Sequence, residues 1–206
     1  MTTNELHVVL GATGGAGNAI TRALADAGHA VRAVNRSGAA DLPEGVETLA
    51  ADLTDPAGAA DAVRGAAVVY MAAQPAYHRW PQEFPGMLQT VIDATADAGA
   101  KLVMVDNLYP YGPDAGVMTP ATPERAADRK GVVRREMTRM LLDAHHSGRL
   151  RVAIGRASDY FGPRADNSGI TALAIAPAAA GKGIRWAGSL DAPTRSPTCP
   201  TSPGPT

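Results

Sequence analysis

Leu6-His7-Val8-Val9-Leu10-Gly11-Ala12-Thr13-Gly14-Gly15-Ala16-Gly17 passes from an apolar, β-rich run through a glycine turn into a helix-forming stretch. Glycines at 11, 14 and 17 leave backbone N–H groups bare where a strand becomes a helix. A dinucleotide pyrophosphate needs such geometry: close approach of the backbone and the positive end of a helix dipole. The expected contacts are Gly11, Thr13, Gly14, Gly15, Ala16 and Gly17. The spacing is Gly-x-x-Gly-x-x-Gly rather than Gly-x-Gly-x-x-Gly, and its place between a strand and a helix is the context that gives such a motif meaning. The motif positions a cofactor without naming a reaction.

Outward from this turn, short β-rich runs alternate with alanine-rich helical stretches. Leu6–Leu10 reads as the first strand. Further strands are predicted over 30–35, 46–53, 67–73, 101–106 and 151–158, and helices over 16–27, 56–64, 82–98, 123–146 and 170–180. In the first helix Ile20, Leu24 and Ala27 share a face, and Gly28 is the C-terminal stop. The segment 67–73 is nearly continuous in apolar residues, as expected of a strand covered on both faces. The alternation predicts an α/β fold, a doubly wound parallel sheet of the Rossmann kind, with its ligand across the carboxyl ends of the strands.

Composition sets outer bounds. The chain has 206 residues, 45% hydrophobic and 19% charged, with a formal net charge of −1, which fits one domain or one and a half. A near-neutral balance argues against nucleic acid or an anionic membrane surface as the main partner. Every apolar run is strand-sized, too short to span a bilayer. Residues 1–5 lack the basic-then-apolar order of a secretory signal. The single cysteine, Cys199, excludes an intramolecular disulfide framework and suits a reducing compartment, so a cytoplasmic location is expected. The expected partner is a small-molecule substrate, with a homodimer left open.

From Ala192 the character changes: the last stretch carries five prolines and no large apolar residue. It cannot continue a core and is expected to be disordered. Taking the last base of the Pro193 codon as the first of a new triplet, codon degeneracy permits His-Thr-Phe-Thr-Tyr-Val-Pro-Asp-Phe-Ala-Arg-Ala, an ordinary amphipathic sequence. The tail is read as the out-of-frame translation of a longer protein, which sequencing the gene decides. The expected layout is a dinucleotide-binding domain over 1–165, the start of a C-terminal substrate region over 166–191, and the tail over 192–206. The substrate lobe is then incomplete.

The end of the second strand distinguishes the two dinucleotides. NAD-binding proteins usually carry an acidic residue there, for the adenosine ribose hydroxyls. Here stand Asn35-Arg36-Ser37: no carboxylate repels a 2′-phosphate, Arg36 can pair with one, and Ser37 can donate to it. NADP(H) is favoured over NAD(H), while the plainer reading keeps Arg36 as a solvated surface arginine. Asp52-Leu53 ends the third strand. Asp52 can accept from the adenine amino group with the backbone at Leu53 near the ring, or it can cap the next turn through Thr54 and Asp55. Ala72-Ala73-Gln74 ends the fourth strand, where small side chains let a cofactor lie across the sheet edge.

Together these pieces resemble the extended or atypical short-chain dehydrogenase/reductases of the NAD-dependent epimerase/dehydratase type. The resemblance rests on residues 11–17, Asp52-Leu53, Ala72-Ala73, Tyr111-Gly112-Pro113 and Arg156-Ala157-Ser158-Asp159-Tyr160-Phe161-Gly162-Pro163, in the family's order over 6–191. The regrouped tail's Tyr-Val-Pro-Asp-Phe-Ala-Arg-Ala is similar to a segment such proteins carry next.

The resemblance implies a Ser or Thr beside a Tyr that stands four residues before a Lys, the Lys lowering the phenol's pKa so that the Tyr serves as acid or base. This chain departs from that pattern. Asn107 stands in the serine's place, the candidate lysine is Lys130, and four residues before it is Ala126, which transfers no proton. Asn107 keeps a hydrogen bond for a substrate oxygen, and Lys130 a grip on ribose hydroxyls. Tyr109 and Tyr111 lie in the loop expected to border the nicotinamide and offer a phenol from another position, although aromatic packing is the commoner role. Lys130 also reads as one member of a solvated basic face with Arg125, Arg129, Arg134 and Arg135.

The remaining features read plainly. His145-His146 suits a helix-end dipole, Tyr77 and Trp80 suit packing at a helix start, and Ser158-Asp159 lacks a histidine for a hydrolase triad. No Cys/His cluster has metal-ligand spacing. Three functions are carried forward: an NADP(H)-dependent oxidoreductase or epimerase-like enzyme on a small carbonyl, alcohol or sugar-nucleotide substrate; a non-catalytic cofactor-binding redox sensor, favoured by alanine at 126; and an inactive truncated fragment.

Overall fold

The β-rich runs pair into one six-stranded sheet. A computed structural model describes residues 5–38, 41–113, 115–165 and 168–185. Its strands are β1 (Leu6–Leu10), β2 (Ala30–Asn35), β3 (Glu47–Ala50), β4 (Ala66–Met71), β5 (Lys101–Asn107) and β6 (Arg151–Ala157). All pair in parallel, in the order β3-β2-β1-β4-β5-β6. The helices are α1 (Gly15–Asp26), α2 (Pro56–Val63), α3 (Trp80–Asp97), α4 (Arg129–His146) and α5 (Ala176–Ala179). The chain builds outward from β1 through β2 and β3, then returns to β1's other side with β4. The order reverses between β1 and β4, the switch point at whose carboxyl ends doubly wound α/β sheets bind ligands.

Alternation along each strand sorts side chains between two cores. Val8 and Leu10 join Val34, Val69, Met71, Leu102 and Met104 in a large core closed by Ala62 of α2, Phe84 and Leu88 of α3, and Met137 and Leu141 of α4. Val9, Val31 and Ala33 enter a smaller one, against Ile20 and Leu24 of α1. In β4, Val69 and Met71 are fully buried whereas Val68 and Tyr70 are half-buried, because α1 packs over β1 and β2 on that second face. Covering on both faces, expected over 67–73, is therefore partial.

Two helices differ from expectation. The fourth starts at Arg129 rather than 123, because Asp128 is its cap: the carboxylate accepts from the Lys130 and Gly131 amides at 3.0 Å each. The stretch read as a helix over 170–180 is helical from 169 to 179, but with a π-helical segment at Thr171–Ile175 ahead of the short α5. Pro177 has no N–H for the Leu173 carbonyl four residues earlier, and that carbonyl takes the Arg185 amide instead, at 2.8 Å. The tail over 192–206, with Cys199, lies outside the described residues. Among the described residues no helix is long and apolar enough to cross a membrane.

Candidate functional site

β1 ends at Leu10, and Gly11 turns the chain with φ 88°, a backbone that favours glycine. Its amide donates to the Val34 carbonyl at 2.8 Å, pinning the turn to β2. A Cβ on Gly11 would lie 2.5 Å from the Ala73 nitrogen, and one on Gly17 2.2 Å from the Gly11 oxygen. These two glycines are demanded by close packing of the turn on β4 and α1. Gly14 is different. Its φ of −77° and ψ of 159° suit any residue, and a Cβ there would meet nothing closer than 3.6 Å.

A side chain is therefore missing at Gly14 without a demand from the fold. Gly14 is also the N-cap of α1, with no side-chain acceptor and no acidic residue in the first turn. Among the described residues the amides of Gly15, Ala16 and Gly17 meet no acceptor, and Thr13 and Gly14 are exposed beside them. The cradle fits a pyrophosphate.

At the end of β2, Asn35 Oδ1 accepts from the Ser37 amide and hydroxyl, both at 2.9 Å, and from the Gly38 amide at 2.8 Å. This side-chain turn leaves Arg36 exposed. At the end of β3, Asp52 Oδ1 accepts from the Thr54 amide at 2.9 Å and its hydroxyl at 2.7 Å. Those bonds, the backbone one foremost, hold the Asp52 carboxyl below the usual range, and the Arg36 charge adds to them. The capping role expected as one alternative for Asp52 is thus formed, with Oδ2 carrying no hydrogen bond among the described residues. Leu53 is buried beside it. Ala72 and Ala73 are half-buried at the end of β4, and Gln74 is exposed.

A cavity of about 400 Å³ lies at the same edge of the sheet. Tyr77 enters it from the loop after β4, Tyr109 from the loop after β5, Ser158 and Asp159 from the loop after β6, and Asp128 and Lys130 from the start of α4. Asn107 closes β5 just before: its Oδ1 accepts from the Tyr109 amide at 3.1 Å, while its Nδ2 hydrogens have no partner among the described residues. Tyr109 is 40% exposed. Partial burial, then a hydrogen bond with the Tyr77 phenol, pushes the Tyr109 phenol up to about 12. Lys130 Nζ bonds the Tyr77 carbonyl oxygen and stands 4.1 Å from the centre of the Tyr77 ring. Desolvation, then Arg129, lowers the lysine's pKa.

Other residues fall elsewhere. Tyr111 is buried, with the Arg156 guanidinium 4.9 Å from its ring centre, and it does not line this cavity. Ala126 lies outside α4 and is buried. A Cβ on Gly131 would come 2.3 Å from its methyl group. The basic face also divides: Arg134 is 3% exposed rather than solvated. Its guanidinium pairs with Asp106 at 3.2 Å and stacks on Trp80 and Phe84, 4.2 and 4.5 Å from their ring centres.

Arg156 joins the same Asp106 at 3.1 Å, and also binds Glu124 and the Thr138 hydroxyl. Tyr160 donates to the Asp106 carbonyl at 2.9 Å. Sequence reasoning missed this buried network beneath the cavity. A signal existed, since Arg134 stands three and seven residues before Met137 and Leu141 and so shares their inward face. Among the described residues no group of His, Cys, Asp and Glu is arranged to hold a metal.

Known structures share this architecture. MoeE5, solved with UDP-glucose and NAD, is 26% identical with a TM-score of 0.65, over 82% of this chain and 59% of that one. A UDP-galactose 4-epimerase aligns with a TM-score of 0.74 at 18% identity, over 87% of this chain and 64% of its own. A nucleoside-diphosphate-sugar epimerase from Pseudomonas aeruginosa gives a TM-score of 0.70 at 19% identity, over 83% and 58%. The chain thus spans about three-fifths of the length of these structures. No curated protein shows significant similarity. The family model described as the NAD dependent epimerase/dehydratase family matches residues 7–193, nearly the whole chain, and to that family the chain belongs.

Proposed function

We propose that this chain binds NAD(P), NADPH in preference to NADH, and supports oxidoreductase or epimerase/dehydratase-type chemistry on a small carbonyl, alcohol or nucleotide-sugar substrate. The observation that carries the reading is the shared edge. A glycine cradle with free first-turn amides and a 400 Å³ cavity lie at the carboxyl ends of the same parallel strands. MoeE5 in its complex with UDP-glucose and NAD supports the nucleotide-sugar class. Gly11, Thr13 and Gly14–Gly17 would hold the pyrophosphate. Asn35, Arg36 and Ser37 would hold the adenosine ribose and its 2′-phosphate, Asp52 and Leu53 the adenine, and Ala72, Ala73 and Gln74 the cofactor's floor. The nicotinamide, when bound, supplies the hydride chemistry. The single cysteine favours a reducing compartment, the cytoplasm, as the place of action.

The chain's own groups suit an acid more than a base. With its pKa at about 12, the Tyr109 phenol stays protonated at ordinary pH and donates to a substrate oxygen. The Asn107 Nδ2 group is a second donor to that oxygen. Lys130 would hold ribose hydroxyls after leaving the Tyr77 carbonyl. A second reading, a redox sensor without turnover, is favoured by Ala126, a buried alanine where the family resemblance calls for tyrosine.

Fluorescence titration with NADPH and NADH, followed by a panel of carbonyls and UDP-sugars, tests both. Binding with turnover supports the enzyme, and binding without turnover supports the sensor. Absence of binding sinks both and leaves an inactive fragment.

A further inference from the structure

Tyr77 opens a short turn, Tyr77–Arg79, between the loop after β4 and the start of α3. Its side chain is 54% exposed, so little of the core rests on it. Three contacts nevertheless fix it at the cavity. Its ring meets that of Trp80 edge-on, with 4.9 Å between centres. Trp80 is itself anchored, because its indole N–H donates to the Pro75 carbonyl at 3.2 Å and the Arg134 guanidinium stacks on its ring. The Lys130 ammonium bonds the Tyr77 carbonyl oxygen and lies 4.1 Å from the centre of the Tyr77 ring. The Tyr109 ring, 6.1 Å from Trp80 between centres, brings its phenol into a hydrogen bond with that of Tyr77.

These surroundings separate the two phenols. Tyr109 keeps its proton, and the Asp159 carboxylate beside it opposes a negative charge there more than the distant pull of Arg134 favours one. Tyr77 has a cation on its ring and a hydroxyl donor at its oxygen, the two kinds of group that stabilise a phenolate. Asp128, the other carboxylate of the cavity, is engaged in capping α4.

We propose that Tyr77 is a catalytic residue, whose phenol gives its proton to the carbonyl oxygen of a substrate in the cavity while Lys130 and Tyr109 stabilise the phenolate left behind. The proposal rests on the reading of this cavity as the reaction site of a dinucleotide-dependent enzyme. The carbonyl carbon receives a hydride from a reduced nicotinamide dinucleotide, which is thereby oxidised, and the carbonyl oxygen receives the Tyr77 proton. The C=O π bond and the Tyr77 O–H bond break, and the C–H and O–H bonds of an alcohol form. Tyr109 and Asn107 hold the carbonyl oxygen by hydrogen bonds beforehand; the Tyr109 hydroxyl then turns to the Tyr77 oxygen. Water reaches the exposed Tyr77 and returns the proton.

Carbonyl reduction with NADPH, followed against pH in the wild type, Tyr77→Phe and Tyr109→Phe, tests this. The probe is whichever aldehyde, ketone or UDP-keto-sugar the wild type reduces fastest, and NADPH fluorescence titrations and thermal melts accompany the kinetics. Phenylalanine keeps the ring on Trp80 and the carbonyl on Lys130, so Y77F is expected to melt and to bind NADPH as the wild type does. Its kcat should fall roughly a hundred- to ten-thousandfold, the worth of a general acid. The wild-type kcat should also decline on the alkaline side as the acid loses its proton, and that limb should be missing from Y77F. Y109F, which loses a hydrogen bond rather than the acid, should keep the limb and lose about tenfold.

A Y77F variant as fast as the wild type overturns the proposal alone. So does a Y109F variant that loses the limb while Y77F keeps it, which moves the acid to Tyr109. A slow Y77F with weaker NADPH binding or a lower melt makes Tyr77 a packing residue and overturns the proposal too. A wild type that binds NADPH and reduces none of the probes overturns the enzyme reading together with this inference and leaves the cofactor site standing.

Discussion

Arg36 and Ala126 carry opposite weight in the functional argument. Arg36 is exposed at the end of β2, near enough to Asp52 to lower that carboxyl's pKa, where a 2′-phosphate would arrive. Arg36→Asp is expected to weaken NADPH about tenfold or more while sparing NADH, read by fluorescence titration. Equal loss for both, or no loss, would take Arg36 out of the phosphate site. Ala126 occupies the position where the family resemblance calls for tyrosine, but its methyl group is buried against Gly131. Ala126→Tyr is therefore expected to overpack the start of α4, costing about 1–3 kcal/mol. A melt several degrees lower with no gain in turnover would bear this out, whereas an active, equally stable variant would contradict it.

The fourth helix shows how an element decides the site. Asp128, not Pro123, marks its start, and the two capping bonds hold Lys130 in the first turn beside the cavity. Asp128→Ala is expected to destabilise the protein by about 1 kcal/mol in urea unfolding. An unchanged midpoint would mean that the cap adds nothing. The sequence 123–128 reads equally well as a first turn or as a loop, because a proline followed by an acidic residue suits both. Only the 3.0 Å bonds from the Asp128 carboxylate separate the two. Arg134 departs from the solvated face for a related reason: a cation on a mixed helix looks solvated until Asp106, Trp80 and Phe84 close around it.

The whole molecule has two ends, and only one faces the cavity. At the amino ends of the strands, His7 is buried, with Nδ1 3.2 Å from the Tyr70 hydroxyl and its ring 4.4 Å from that of His29. Burial, then the His29 charge, lowers its pKa from 6.5. The unfolded chain takes up this proton first as pH falls, so the stability that neutral His7 contributes is complete above 6.5 and is lost as pH falls through the folded value. The stability difference between wild type and His7→Gln should narrow between about pH 7.5 and about pH 5.5 in paired melts. A difference that stays constant would remove His7 from the acid response.

Residues 6–17 and the alternation that follows were enough for the parallel sheet and the glycine turn at its carboxyl edge. Strand pleat, glycine turn and helix start are local patterns, each settled within a few neighbours along the chain. Tyr77 and Lys130, 53 residues apart, meet only in the folded chain. So do Arg134 with Asp106, and Arg164 with Asp41. These contacts join loops and helices far apart in sequence, so which charged groups are buried or paired was a matter for tertiary packing alone.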